Sequence, residues 1–237
     1  MSPIENFLSL FRQPPSPVVA TVAAPLPVLS PLGIPDDALT FVEDEEDGSP
    51  GYYVKAEEHW SWPGGVSGPT LGVGYDCGYV INAEAEADWT GIVDPATVQR
   101  IIGAVGHRGA AAEAYVAAHR NEITITWDQA IAEFKAKEVP KWLARCRAAL
   151  PNFDLLHSDC QGAVFSLSYN RGTGGYDDPG PRDLEMREIK AAMIAKNFSA
   201  IPPLILSMQR IWPRGGDLWK RRAHESALFE QGLKAAA

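Results

Sequence analysis

Seven prolines fall between residues 14 and 35 (Pro14, Pro15, Pro17, Pro25, Pro27, Pro31 and Pro35), and they decide what the front of the chain can become. Proline lacks an amide hydrogen and holds φ fixed, so neither a helix interior nor a sheet ladder accepts it at this density. The stretch reads as a semi-extended linker. Ahead of it, Ile4 to Phe11 could form one or two amphipathic turns, but it has no basic lead and prolines break the apolar run, so it is not a convincing secretory signal. Behind it, Glu43 to Asp47 is an acid run of the kind that forms a solvated spacer. Residues 1–49 are therefore expected to be a Pro-rich, acidic, flexible tail, and residues 50–237 a separate globular domain.

Charge divides at the same place. The first 60 residues hold ten acids against two bases, and residues 61–237 hold twenty against nineteen. The net charge of −9 thus belongs to the front of the chain. The sequence has no basic patch of the kind that phosphate binding requires, so nucleic acid is not an expected partner. Hydrophobic residues make up 46% of the 237 positions, enough to build a core and too many for a wholly disordered chain. No run of about 18 apolar residues offers a membrane span. Cys77, Cys146 and Cys160 form an odd set without CxxC spacing, so neither a zinc site nor a disulfide framework reads out. Three reduced, partly buried thiols are expected, with a Cys146–Cys160 bridge the other option.

From about residue 50 the pattern turns globular, and residues 51–58 read as a short apolar-polar helix or strand. Residues 59–80 are rich in Gly, Ser and Pro with alternating Val, Leu and Tyr, which suggests a loop and a small β-hairpin. Almost everything after Asp94 reads as helix. Asp94-Pro95 is an N-cap followed by proline at the first helical position, and Ala110 to His119 is helical by propensity. Thr126 or Asp128 can cap the next helix, and Pro140 is expected to kink or break it. Further helices are expected over Leu155–Ser168, Leu184–Ala195, Leu204–Trp212 and Leu218–Leu233. The expected class is α+β and mostly helical.

Chemistry concentrates around the hairpin. Hydrolysis of a glycosidic bond needs one carboxylic acid to protonate the leaving oxygen and a second carboxylate to direct water from the other face. Glu57 and Glu58 precede the Gly-rich segment and Asp76 closes it, so a hairpin between them would bring the acids within reach of one another. Gly64, Gly65, Gly68, Gly72 and Gly74 allow tight turns and close backbone approach, and the Thr70 hydroxyl could orient a water. The same glycines would also serve a purely structural hairpin. GVGYDCG is followed by no helix cap or lysine, so it is not a phosphate-binding loop. Trp60, Trp62, Tyr75 and Tyr79 could offer faces to sugar rings or simply pack. Trp212 and Trp219 read as core.

TLGVGYDCG preceded by Glu58 resembles the start of the phage-type lysozyme family, where a Glu ends a helix and a T-x-G-x-G hairpin comes next. ITWDQAIAEF at 125–134, GAVFSLSYNRG at 162–172 and DLWKRRAHESALF at 217–229 are similar to three further segments of that family, in the same order. Asp217 stands where the closing motif has Gly. Gly64 stands six residues before the Thr, where most members carry an Asp, and Asp76, six residues after it, can replace that acid; this arrangement resembles the pesticin-like branch. The resemblance implies a lysozyme-like fold with a small hairpin and a helical lobe. It implies a muramidase that cleaves the β-1,4 bond between N-acetylmuramic acid and N-acetylglucosamine; a carboxylate separation of about 6.5–9.5 Å would imply inversion with direct attack of water. Carried over by motif, Glu58 is the general acid, with Glu57 as the alternative one residue away. Asp76 is the second carboxylate, and Thr70 holds the attacking water. Arg221 would pair with the catalytic Glu, with Arg222 as its alternative. Asn170 and Arg171 would reach the sugar groove from the end of a buried helix, beside Tyr75 and Trp60.

No metal and no organic cofactor is implied. Expected partners are peptidoglycan glycan strands, together with an immunity protein or delivery machinery if the chain is a toxin or effector rather than a phage lysin. The chain is expected to be a monomer, made in the cytoplasm and acting on the cell wall. Two rivals stand beside this reading: a glycosidase of the same fold acting on chitin, chitosan or another β-glycan, and a non-catalytic wall-binding module.

Overall fold

A computed structural model of the chain describes Tyr53 and residues 58–237. The expected N-terminal amphipathic turns, the proline linker, the acid run and Glu57 lie outside the described residues. Within them the protein is mostly helical, with one small antiparallel sheet.

The sheet forms where the glycine spacing places it. Strands β1 (Thr70–Leu71) and β2 (Tyr75–Asp76) pair Thr70 with Asp76 and Leu71 with Tyr75. The connection turns through Gly72 at φ 57° and Gly74 at φ 70°, left-handed conformations that glycine adopts without penalty. Ser61 extends the pairing by an isolated antiparallel bridge to Thr70.

Helix α1 (Asn82–Trp89) comes next, then α2 (Pro95–Ala104) and α3 (Ala110–His119). Asp94 caps α2 by accepting from the amides of Ala96 and Thr97, as Asp94-Pro95 predicts. Helix α4 (Trp127–Glu133) opens with a full capping box between Thr126 and Gln129, which settles Thr126 over Asp128 as its cap. Pro140 does not break the helical path. A π-helical segment, Phe134–Glu138, leads straight into α5 (Val139–Ala149). The wider π turn moves the carbonyl that would meet the proline ring, so the axis continues past a residue without an amide hydrogen.

Helix α6 (Ser158–Arg171) is the core helix, with every residue from Ser158 to Ser168 buried. Its start is later than the apolar run suggests, because a short 3₁₀ turn at Phe153–Leu155 takes up the first residues. Phe165 packs against Phe134 and stacks on Tyr169 with ring centroids 5.9 Å apart. Helix α7 (Leu184–Ala195) has the bounds expected of it. Helix α8 (Ile201–Ser207) begins before Leu204, because Pro202 and Pro203 occupy a first turn that needs no amide hydrogens. Helix α9 (Asp217–Ala235) runs along α6 and closes the core.

All three cysteines are free and buried, so the Cys146–Cys160 bridge does not form. Burial pushes their thiols up, Cys146 to about 11 and Cys160 to about 12. Trp212 is not core as expected; it is half-buried at a cavity edge, with the guanidiniums of Arg171, Arg182 and Arg222 within 5.8 Å of its ring. Trp219 is also only half-buried. No helix among the described residues is long and apolar enough to cross a membrane.

Candidate active site

A groove of about 780 Å³ lies between the hairpin and the end of α6. Thr70, Tyr75 and Asp76 line one wall, and Tyr169, Asn170 and Arg171 the other. Tyr169 also donates to the carbonyl of Val73 at 2.6 Å, fastening the hairpin turn to α6. Asn170 and Arg171 extend onto a second cavity of about 420 Å³ beside Trp212.

Asp76 is fixed by the local chain. Its Oδ1 accepts the amides of Gly68 at 2.9 Å and Gly78 at 2.8 Å, and the second of these bonds caps the 3₁₀ turn Cys77–Tyr79. Burial raises its carboxyl above the ordinary value of 3.8, opposed by the Gly78 and Gly68 amides and by the Arg108 guanidinium. Thr70, directly opposite in the register, is buried and donates from Oγ1 to the carbonyl of Gly68 at 3.2 Å. Its hydroxyl lone pairs remain chemically able to accept from a water.

Gly68 allows this arrangement by close approach rather than by φ. A Cβ there would stand 2.2 Å from the amide nitrogen of Gly78 and 2.5 Å from Asp76 Oδ1. Gly68→Ala is therefore expected to cost about 1–3 kcal/mol through forced displacement of the loop, and to lower activity by moving Asp76. Thermal unfolding read beside turnover checks this; an unchanged Tm contradicts it.

The remaining expected site residues are placed less uniformly. Glu58 is half-buried and its backbone is tied at both ends, the amide to Tyr53 O at 3.1 Å and the carbonyl to Ile125 N at 2.9 Å. It is not among the residues lining the groove. Trp60 is completely buried and packs edge to face on Tyr115, so it presents no face to a sugar. Tyr75 borders the groove but is only 2% exposed, its ring packed on Trp89 and its hydroxyl donated to Asp88 at 3.0 Å, so it too offers little face to a sugar. Of the other loop aromatics, Trp62 donates to Ser67 O at 3.1 Å and Tyr79 is exposed under the Arg108 guanidinium.

Arg221 and Arg222 are both buried, not solvated on a helix surface. Arg221 donates to Ser166 and to Glu225 Oε1, the latter at 3.2 Å. Arg222 donates to the same Glu225 oxygen at 2.9 Å and to Asn170 Oδ1 at 3.2 Å. Arg222 is thus hydrogen-bonded to a side chain of the groove wall. Arg171 forms an ion pair with Asp183 and donates to the carbonyl of Arg182.

The motifs leave a third group of groove residues unmarked: Glu84, Glu138, Lys141 and Arg145. Glu84 comes from α1, while Glu138, Lys141 and Arg145 follow one another at helical spacing from the π segment into α5. Lys141 Nζ bonds Glu138 at 2.5 Å, Glu84 at 2.9 Å and Asp88 at 3.2 Å. Burial opposes its charge, but these carboxylates outweigh it and raise its pKa.

Comparison with protein-family models and with curated proteins finds no match for this chain. The site therefore stands on its own geometry and on the sequence motifs.

Proposed function

We propose that the protein is a peptidoglycan hydrolase of lysozyme-like fold, a muramidase working by acid/base catalysis with two carboxylates. The observation that carries this is the pairing of Thr70 with Asp76 on one wall of a groove whose far wall is Tyr169, Asn170 and Arg171. A carboxylate with one oxygen pinned by two amides keeps its other oxygen directed, which suits a base that positions water. The Thr70 hydroxyl, opposite in the register, adds an acceptor for the same water.

The acid comes from the Glu57–Glu58 pair. The sequence resemblance selects Glu58, while the placement of Glu58 outside the groove lining keeps Glu57 as its alternative. Separate Glu57→Gln and Glu58→Gln variants decide between them. One of the two is expected to lose about 10²–10⁴-fold in turnover on cell-wall sacculi, the usual contribution of a positioned acid. Full activity in both contradicts the two-carboxylate reading. Inversion of a β-linked substrate releases the α-anomer first, which proton NMR of early product reports.

The pH profile has a fixed sign. Asp76 must be ionised to direct water, and its carboxyl is raised above 3.8 in the folded protein. Activity should therefore be absent at low pH and appear as pH rises through a value above 3.8. A kcat/KM profile whose acid limb sits at or below that value contradicts the assignment of Asp76. The proposed setting is synthesis in the cytoplasm and action on the glycan strands of the wall.

A further inference from the structure

We infer that the protein holds one hard divalent cation, of the calcium class, between Asp88 on α1, Glu133 at the end of α4 and Glu138 at the end of the π segment. Oxygens from these three buried residues lie within 4.8 Å of one another. Two oxygens bound to one calcium at about 2.4 Å can be no more than about 4.8 Å apart, so no pair of the three is too widely spaced to share an ion.

The independent observation is Glu133. Its side chain is 1% exposed, and neither carboxylate oxygen has a hydrogen-bond partner among the described residues. A buried carboxyl without a hydrogen-bond partner is costly whether charged or neutral, and native proteins leave such a group only where something else satisfies it. The neighbouring cation does not do so. Lys141 Nζ spends its bonds on Glu84, Asp88 and Glu138, while Lys137 Nζ donates to the carbonyl of Ala87 at 2.9 Å. Three carboxylates thus share one ammonium, and the fourth, Glu133, is the deepest.

The donor set is oxygen only, which favours calcium, magnesium or manganese over zinc or copper. Calcium tolerates irregular geometry and carboxylates bound through both oxygens; magnesium demands a near-ideal octahedron. The Tyr75 hydroxyl already holds Asp88 Oδ2, and Trp142 Nε1 holds Glu138 Oε2 at 2.9 Å, so two of the three ligands are oriented from behind. Glu138 and Lys141 also line the groove, which gives the ion a route in. Bound there, it would tie α1 to α4 and to the π segment, close to the hairpin wall that carries Asp76. The cation takes no part in the proposed hydrolysis, and its binding does not depend on that activity.

Terbium, a luminescent stand-in for calcium, tests it on the full chain after chelator treatment. Tyr75 and Trp89, with ring centroids 5.5 Å apart, and Trp142 sit close enough to sensitise emission. Saturation at one equivalent, with displacement by calcium, is expected. Glu133→Gln keeps the side chain's shape and should weaken binding at least about tenfold, whereas Lys141→Gln removes the competing ammonium and should tighten it several-fold. Calcium should raise the Tm of the wild type and leave that of Glu133→Gln unchanged. Absence of a one-equivalent phase overturns the inference, as does equal binding by wild type and Glu133→Gln. If Glu133→Gln fails to fold, Lys141→Gln decides alone, and an unchanged or weaker affinity overturns it.

Discussion

Asp76→Asn is expected to lower turnover on cell-wall glycan by about 10²–10⁴-fold while leaving the fold intact. The two effects separate because the two oxygens do different work. Asn keeps an Oδ1 able to accept from Gly68 and Gly78, so the cap on the Cys77–Tyr79 turn survives. It replaces the other oxygen with an amide nitrogen, which can neither hold the charge nor accept the proton of an attacking water. Asp76→Ala loses both functions and should also cost about 1–2 kcal/mol of stability, the usual value of a lost cap. Turnover and thermal unfolding measured on both variants check this. Activity near wild type in Asp76→Asn would leave Asp76 as a capping residue and nothing more.

The second large effect is structural. Arg222 is completely buried, shares Glu225 Oε1 with Arg221, and holds Asn170 of the groove wall. Arg222→Ala leaves the buried Glu225 with one fewer countercharge and Asn170 without this donor. Breaking a buried pair from one side costs about 3–5 kcal/mol, which in a domain of this size is roughly a 10–15 °C fall in Tm. Arg222→Lys should rescue little, because an ammonium cannot reproduce the planar fork that reaches both Asn170 and Glu225. Calorimetry or circular dichroism melts read the shift; a fall below about 2 °C would mean the network contributes little.

Local signals in the sequence carried much of the architecture. Glycine spacing locates the hairpin, Asp94-Pro95 locates the start of α2, and the choice of Thr126 or Asp128 as a cap locates the start of α4. These are contacts between residues two to six apart, which sequence displays directly. Helix α1 had no such signal: its N-cap is Ile81, which offers no capping side chain, and its first turn simply continues from the loop. Pro140 was misleading because its effect depends on whether the preceding turn can widen, as the π segment Phe134–Glu138 does.

The site was legible to the same extent. Asp76 and Thr70 come together through a hairpin register, and Asn170 and Arg171 come with the end of α6, so motif order sufficed for them. Which way a side chain points is a different matter. Trp60 could pack or bind and turned out to be buried, while Trp212, read as core, stands at a cavity edge. Adjacent Arg221 and Arg222 differ by about 100° around a helix, so only the packing of α9 on α6 decides which one reaches Asn170. The Asp88, Glu133 and Glu138 cluster draws on separate turns of the chain and has no sequence signature.

Product analysis tests the chemistry of the groove most directly. Purified protein is incubated with peptidoglycan sacculi, and the products are read by mass spectrometry beside those of Asp76→Asn and of the two glutamine variants at 57 and 58. Muropeptides ending in reducing N-acetylmuramic acid are expected, absent from Asp76→Asn and from one of the glutamine variants. Anhydro-ended products would contradict water attack directed by Asp76. No products from sacculi, with cleavage of chitin oligomers instead, would contradict the assigned substrate.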